Sequence, residues 1–204
     1  MGAEVLVPVT SVPAWAHEQL AIHRRAASSL VELLPSVIQV AELLCATFAR
    51  GGVLYTFGNG GSAADAQHLT GELIGHYKRD RRPLAAVTLT GDAAVMTCIA
   101  NDYSFADVFT RQVQALVRPG DVVAAFSTSG RSANVVTALA AARDRGATTV
   151  LFGGASGGLA AQHADICLAA PATQTARIQE MHTLMLHLIS EHVDAWAAGE
   201  QPVP

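Results

Sequence analysis

The segment Ser127-Thr128-Ser129-Gly130-Arg131-Ser132 puts four hydroxyls within six residues, just ahead of an Ala-Asn-Val-Val run that suits a helix. Hydroxyls together with the free N–H groups of a helix N-terminus make an anion cradle that needs no lysine. Capping a helix uses one hydroxyl, so the excess points to a phosphate or another anion. A second turn, Gly58-Asn59-Gly60-Gly61-Ser62, is rich in glycine. Its backbone N–H groups can approach a ligand closely. It has neither the GK[ST] ending of a P-loop nor the GxGxxG dinucleotide pattern, and it also suits a plain tight turn.

His68 and Glu72 lie four residues apart, so a helix places them on one face. Such a pair beside a ligand turn can act as acid and base, as two metal ligands, or as a satisfied structural pair. Near the C-terminus, Arg177-Ile178-Gln179-Glu180-Met181-His182 is followed by His187. On a helix, Gln179 and His187 fall about 80° apart and roughly two turns along, so both can face one pocket. There they can meet His68 and Glu72. His182 falls on another side and is expected to face a partner or to cap a neighbouring element.

Bringing these stretches together requires strands that end in polar turns. Short apolar runs at Val53–Phe57, Ala85–Leu89, Val122–Phe126, Thr148–Phe152 and Ile166–Ala169 predict five strands. Helical stretches alternate with them, ending in a long helix over Arg177–Ala197. That alternation predicts a parallel sheet covered on both faces, with ligands beyond the carboxyl ends of the strands. Both polar turns fall at such ends. Residues 14 to 50 predict two helices broken near Pro35 and stopped by Gly51-Gly52. Their apolar positions, from Leu20 to Phe48, leave a broad sticky face that suits an oligomer.

The composition narrows the function classes. Half the residues are hydrophobic, enough for a core without disulfides. The net charge of −4 and the lack of a basic stripe argue against a nucleic-acid partner. Cys45, Cys98 and Cys167 form no CxxC pair and suit small buried residues in a reducing compartment. No apolar run is expected to span a bilayer. Met1–Pro13 lacks the basic start of a signal segment. The expectation is a cytoplasmic protein without a membrane partner.

The segments GNGGSAADAQH with Glu72, IANDYSFADVF, FSTSGRS and ARIQEMH with His187, in this order and spacing, closely resemble the bacterial phosphoheptose isomerases, a branch of the sugar-isomerase (SIS) fold. The STSG turn alone marks the superfamily; the joint set is far more specific, and the resemblance covers nearly the whole chain. It implies an α/β fold with a flavodoxin-like five-stranded parallel sheet, an N-terminal helix pair and a homotetramer. Residues 1–204 would form a single SIS domain, with 14–50 a helical extension used in oligomerisation. The implied activity interconverts sedoheptulose 7-phosphate and D-glycero-D-manno-heptose 7-phosphate through an enediol.

By the same resemblance, Ser127, Thr128, Ser129 and Ser132 hold the phosphate. Asn59, Gly60, Gly61, Ser62 and Asp102 match sugar-contacting positions, with Gln179 beside them. Glu72 matches the catalytic base and His187 the acid. A zinc ion, one per subunit, would map to His68, Glu72, Gln179 and His187. Two positions depart from the pattern. Ala176 stands where many relatives have Asp, so that contact is either absent or supplied by Thr175, and His76 stands where many have Arg. Both bear on which sugar is bound more than on the reaction type. Two other functions fit parts of the pattern. One is a non-catalytic SIS tetramer that binds a replication-initiator protein, although such proteins lack counterparts of Glu72 and His187. The other is an isomerase for a different sugar phosphate in natural-product biosynthesis.

Overall fold

A computed structural model describes residues 11–200. The Met1–Pro13 stretch therefore lies outside the described residues except for its last three. Five strands appear where the apolar runs predict them: β1 (Leu54–Gly58), β2 (Ala86–Thr88), β3 (Val122–Ser127), β4 (Thr148–Gly153) and β5 (Ile166–Ala169). All pair in parallel, in the order β2-β1-β3-β4-β5. The order reverses between β1 and β3. A crevice opens at that switch point beyond the carboxyl ends, and both polar turns leave the sheet there.

Side chains alternate across the sheet, as the period of a strand requires. Leu54, Val122, Ala124, Phe126, Val150 and Phe152 face one core, while Tyr55, Phe57, Val123, Ala125 and Leu151 face the other. The first core is closed by α1 (Ala14–Ser29), α2 (Leu34–Ala49), α3 (Gly61–Ile74) and α7 (Thr175–Ala197). The second is closed by α4 (Ala93–Asp102), α5 (Thr110–Leu116) and α6 (Ala133–Asp144).

The N-terminal helices differ from expectation in one detail. The break is a 3-10 turn over Leu30–Leu33, and Pro35 sits inside the first turn of α2. Proline is tolerated there because its missing N–H has no intrahelical partner, so the rod narrows before Pro35 rather than breaking at it. Gly51 stops α2 with φ +81, and the Gly52 N–H donates to the Thr47 carbonyl, a glycine-dependent C-terminal cap.

The expectation that no apolar run could span a bilayer also needs correction. The helical stretch Ala14–Ala49 is long and apolar enough by length and composition. Its apolar content has a local cause: Val37, Val40, Ala41, Leu44, Cys45 and Phe48 of α2 are buried in the first core, against α7.

Candidate active site

Two polar regions lie on the framework of α3 and α7. The first is a pocket of about 300 Å³ lined by Asn59, Gly61, Ser62, Phe126, Ser127, Thr128, Ser129, Ser132, Thr175 and Gln179. The turns after β1 and β3 meet here because the two strands are neighbours. The Ser127 hydroxyl accepts from the Gly130 N–H at 3.1 Å, and the Ser129 hydroxyl accepts from the Arg131 N–H at 3.2 Å. Ser132 begins α6 with no side-chain capping bond, which leaves its hydroxyl for a ligand. Asn59 and Asn134 exchange amide hydrogen bonds at 2.9 Å in both directions. This pairing spans the crevice and holds the two turns together.

The loop after β4 backs the cup. A side-chain carbon at Gly130 (φ +59) would overlap the Gly157 carbonyl, and one at Gly158 would meet the Ser129 and Gly130 backbone. Glycine is required by the close approach of the two loops as well as by the dihedral.

The second region joins α3 to α7. His68 Nε2 lies 3.0 Å from Glu72 Oε1 and 3.3 Å from His187 Nε2. Two short bonds with different partners meet at one ring nitrogen, which can donate or accept but not both. Either one N–H is shared between the two partners, or a cation held by all three residues would replace both contacts. The ligand atoms of His68, Glu72 and His187 all lie within 4.8 Å of one another, and a tetrahedral ion with bonds of about 2.0–2.1 Å separates its ligands by about 3.4 Å. The three residues therefore fit a divalent metal. Burial, followed by the charge of His68, lowers the His187 pKa from the usual imidazole range, which favours the neutral ring.

The helices run in parallel register. Gln179 packs its amide onto Gly61, Thr183 donates to Asp65, and His187 meets His68. Gln179 thus lines the serine pocket, two turns before His187. Gly60 holds φ +57 at the start of α3, as its turn requires. Asp102 is placed differently from its neighbours in the motif set. It is exposed at the end of α4, accepts from Asn101 and Cys98, and is not among the residues lining the serine pocket.

His182 does not face a partner but caps a neighbouring element, the end of β4, from within the core. It is fully buried, donates from Nε2 to the Gly153 carbonyl at 3.1 Å, and packs edge-on to Phe126 and Phe152. Burial drives its pKa down to about 4. Sequence reasoning missed Asn134, Phe126 and Tyr77. The Tyr77 ring stacks on His187 with centroids 5.7 Å apart. Asn134 sits directly after the hydroxyl-rich turn, and that adjacency was the available signal. Thr175 lines the pocket, at the position left open by Ala176.

A family model described as "SIS domain" matches residues 19–154. A phosphoheptose isomerase of Roseiflexus sp. (strain RS-1) is 50% identical over 160 residues, covering 78% of this chain and 81% of the relative. That of Geotalea daltonii is 42% identical over 184 residues, covering 90% and 96%. The solved phosphoheptose isomerase of Neisseria gonorrhoeae superposes with a TM-score of 0.84 at 40% identity, covering 89% of this chain and 97% of that one. The chain belongs to the SIS domain family and, within it, to the phosphoheptose isomerases, which are aldose–ketose isomerases.

Proposed function

We propose that the protein converts sedoheptulose 7-phosphate to D-glycero-D-manno-heptose 7-phosphate, with the serine cup taking the phosphate and the α3–α7 cluster carrying the chemistry. The observation that carries this is the convergence of Glu72 and His187, 115 positions apart in sequence, on the helices that frame the hydroxyl-lined pocket. A seven-carbon open chain holds its phosphate at the opposite end from C1 and C2. Gly61 and His68 are separated by about 10 Å of helix at 1.5 Å per residue, which suits a substrate that reaches from the cup to the cluster.

In the reaction, the Glu72 carboxylate removes a proton from C1 as His187 donates its ring N–H to the C2 carbonyl oxygen. The product of that step is a cis-enediol. Glu72 then returns its proton to C2, while the O1 proton passes to the imidazole. A neutral His187 that gives up its N–H passes through the imidazolate and is restored when it takes the O1 proton, so both groups end each turnover in their starting state. Binding energy from the distant phosphate aligns C1 and C2 with these groups.

His68, Glu72 and His187 would hold a zinc ion, with Gln179 as fourth donor once its amide turns from Gly61. Such an ion would supply Lewis-acid polarisation of the carbonyl oxygen. The subunits would assemble as a homotetramer through residues 14–50, where Trp15, Leu20, Val31 and Ile38 expose apolar side chains. The three free cysteines suit a cytoplasmic protein.

The test is an assay of purified protein with sedoheptulose 7-phosphate, before and after chelation, with metal content measured. Product formation lost on chelation and restored by zinc supports the metal-assisted form. Product formation indifferent to verified metal removal leaves Glu72 and His187 alone. No product in either state rejects the substrate assignment.

A further inference from the structure

One buried ion pair on the far side of the cluster has no part in the chemistry described above. Arg81 and Asp194 are about 1% and 0% exposed, and Arg81 Nε donates to Asp194 Oδ1 at 3.0 Å. The remaining guanidinium N–H groups donate to the carbonyls of Glu72 (2.7 Å), Leu73 (2.8 Å), Arg82 (3.0 Å) and Gly75 (3.2 Å). Arg81 therefore caps the end of α3 at the residue that carries the carboxylate. Asp194, two turns past His187 on α7, also accepts the backbone N–H groups of Tyr77, Lys78 and Arg79 at 3.3, 3.1 and 2.8 Å. Those bonds fold the segment after α3 back onto α7, and that placement lays the Tyr77 ring against His187.

We propose that Arg81 and Asp194 are positioning residues for the isomerase site, fixing Glu72 of α3 against His187 of α7 and seating Tyr77 over the His187 ring. This rests on the isomerase assignment for its kinetic consequence and on the geometry alone for its effect on the cluster. An aspartate accepting four bonds and an arginine donating five leave little freedom for the two helices to slide. Lysine in place of Arg81 keeps the charge but cannot reach Asp194 and the α3 carbonyls together. The Lys78 ammonium pairs with Glu191 and lies over the Tyr77 ring at 5.1 Å, so it belongs to the clamp. Asp80, exposed on the same segment and with no side-chain bond among the described residues, can be truncated with the clamp intact.

The experiment compares Arg81→Lys, Tyr77→Ala, Tyr77→Phe and Asp80→Ala in the full chain. Steady-state kinetics are joined by inhibition with inorganic phosphate, which reads the cup, and by cobalt(II) titration followed by absorption, which reads the cluster. Arg81→Lys and Tyr77→Ala should lower kcat and cobalt affinity by about 10–100-fold, the range for residues that support ligands from behind. Phosphate inhibition should stay within about twofold. Tyr77→Phe should restore most of the loss, and Asp80→Ala should match the wild type. Normal kcat and cobalt affinity in folded Arg81→Lys and Tyr77→Ala would overturn the proposal. So would phosphate binding that weakens in step with kcat, the mark of general loosening. An inactive wild type would reject the isomerase assignment instead, and the cobalt titration would still decide the clamp. If Arg81→Lys does not fold, the two Tyr77 variants decide it.

Discussion

The serine cup and the His68–Glu72–His187 cluster are built in opposite ways. The cup comes from turns at adjacent strand ends, and its hydroxyl set occupies Ser127–Ser132. Within that set the bonds are local, each hydroxyl accepting from the N–H two or three residues on, and the Asn59–Asn134 pair ties it to the neighbouring turn. The cluster needs two helices whose contributing residues are 119 positions apart, and no local bond fixes their distance. On the proposed reading, the difference separates binding from chemistry. A cup made of neutral donors can hold an anion with little rearrangement, whereas the cluster depends on how α3 and α7 pack.

The sharpest way to break this division is Glu72→Gln. The amide keeps the size of the carboxylate but removes the base and a charged metal ligand. Turnover should fall by about 10³-fold, within the range for general acid–base groups, which is about 4 kcal/mol in the barrier. Inhibition by inorganic phosphate should be unchanged, because the cup lies two turns and more away. Near-normal turnover would remove Glu72 from the role of base.

Gly130→Ala attacks the other region. The added carbon overlaps the Gly157 carbonyl, and φ +59 is unfavourable for any side chain by about 1–2 kcal/mol before the clash is counted. The cup should distort, with phosphate inhibition weakened by about tenfold or more and a clear fall in Tm. Cobalt binding at the cluster should survive in the folded fraction. Loss of both together would show that the two regions form one unit.

How much of each region could be seen in the sequence follows from the same contrast. The cup was legible because its residue types are contiguous and sit where a parallel sheet places ligands. The five strands were legible because each is a short apolar run bounded by turn residues. His68 and Glu72 were legible through helical spacing, and His187 through the wheel. What could not be read depends on packing between distant elements. His182 is polar by type, yet the packing of α7 on the sheet places it edge-on to the stacked rings of Phe126 and Phe152. Gln179 points at Gly61 because α3 lies beside it, a contact that no period in either helix encodes. Asp102 belongs to a recognisable motif, but α4 ends at the surface of this chain. The fan of bonds on Asp194 joins it to residues 113 to 117 positions away, beyond any local pattern.

His182 offers a test between the two regions, since it supports the Gly153 carbonyl under the cup and stands on α7 between Gln179 and His187. Its folded pKa of about 4 lies below the ordinary 6.5, so the unfolded chain binds the proton more readily. This contribution to stability is complete above about pH 6.5 and declines as pH falls towards 4. By pH 5 the loss should be about 2 kcal/mol, approaching roughly 3 kcal/mol in the limit. Urea midpoints measured from pH 7.5 to 5 should fall more steeply for the wild type than for His182→Gln, which cannot titrate. Parallel profiles would mean that the buried imidazole takes up its proton in the folded state without cost.

The smallest effect is expected from Ser129→Ala, and its pattern matters more than its size. Ser129 is exposed at the rim of the cup, so losing its hydroxyl leaves no buried group unsatisfied. A hydrogen bond to a charged phosphate contributes about 1.5–3 kcal/mol, of which an exposed rim position should give the lower end. That predicts a fall of roughly tenfold in kcat/KM. The phosphate lies far from the reacting carbons, so its binding energy serves both to hold the substrate and to align it. Part of the loss should therefore appear in kcat and the rest in KM. A change in KM alone would make the cup a simple anchor, sharpening the division between the regions. Unchanged KM and kcat would remove Ser129 from the phosphate site and leave Ser127, Thr128 and Ser132 to form it.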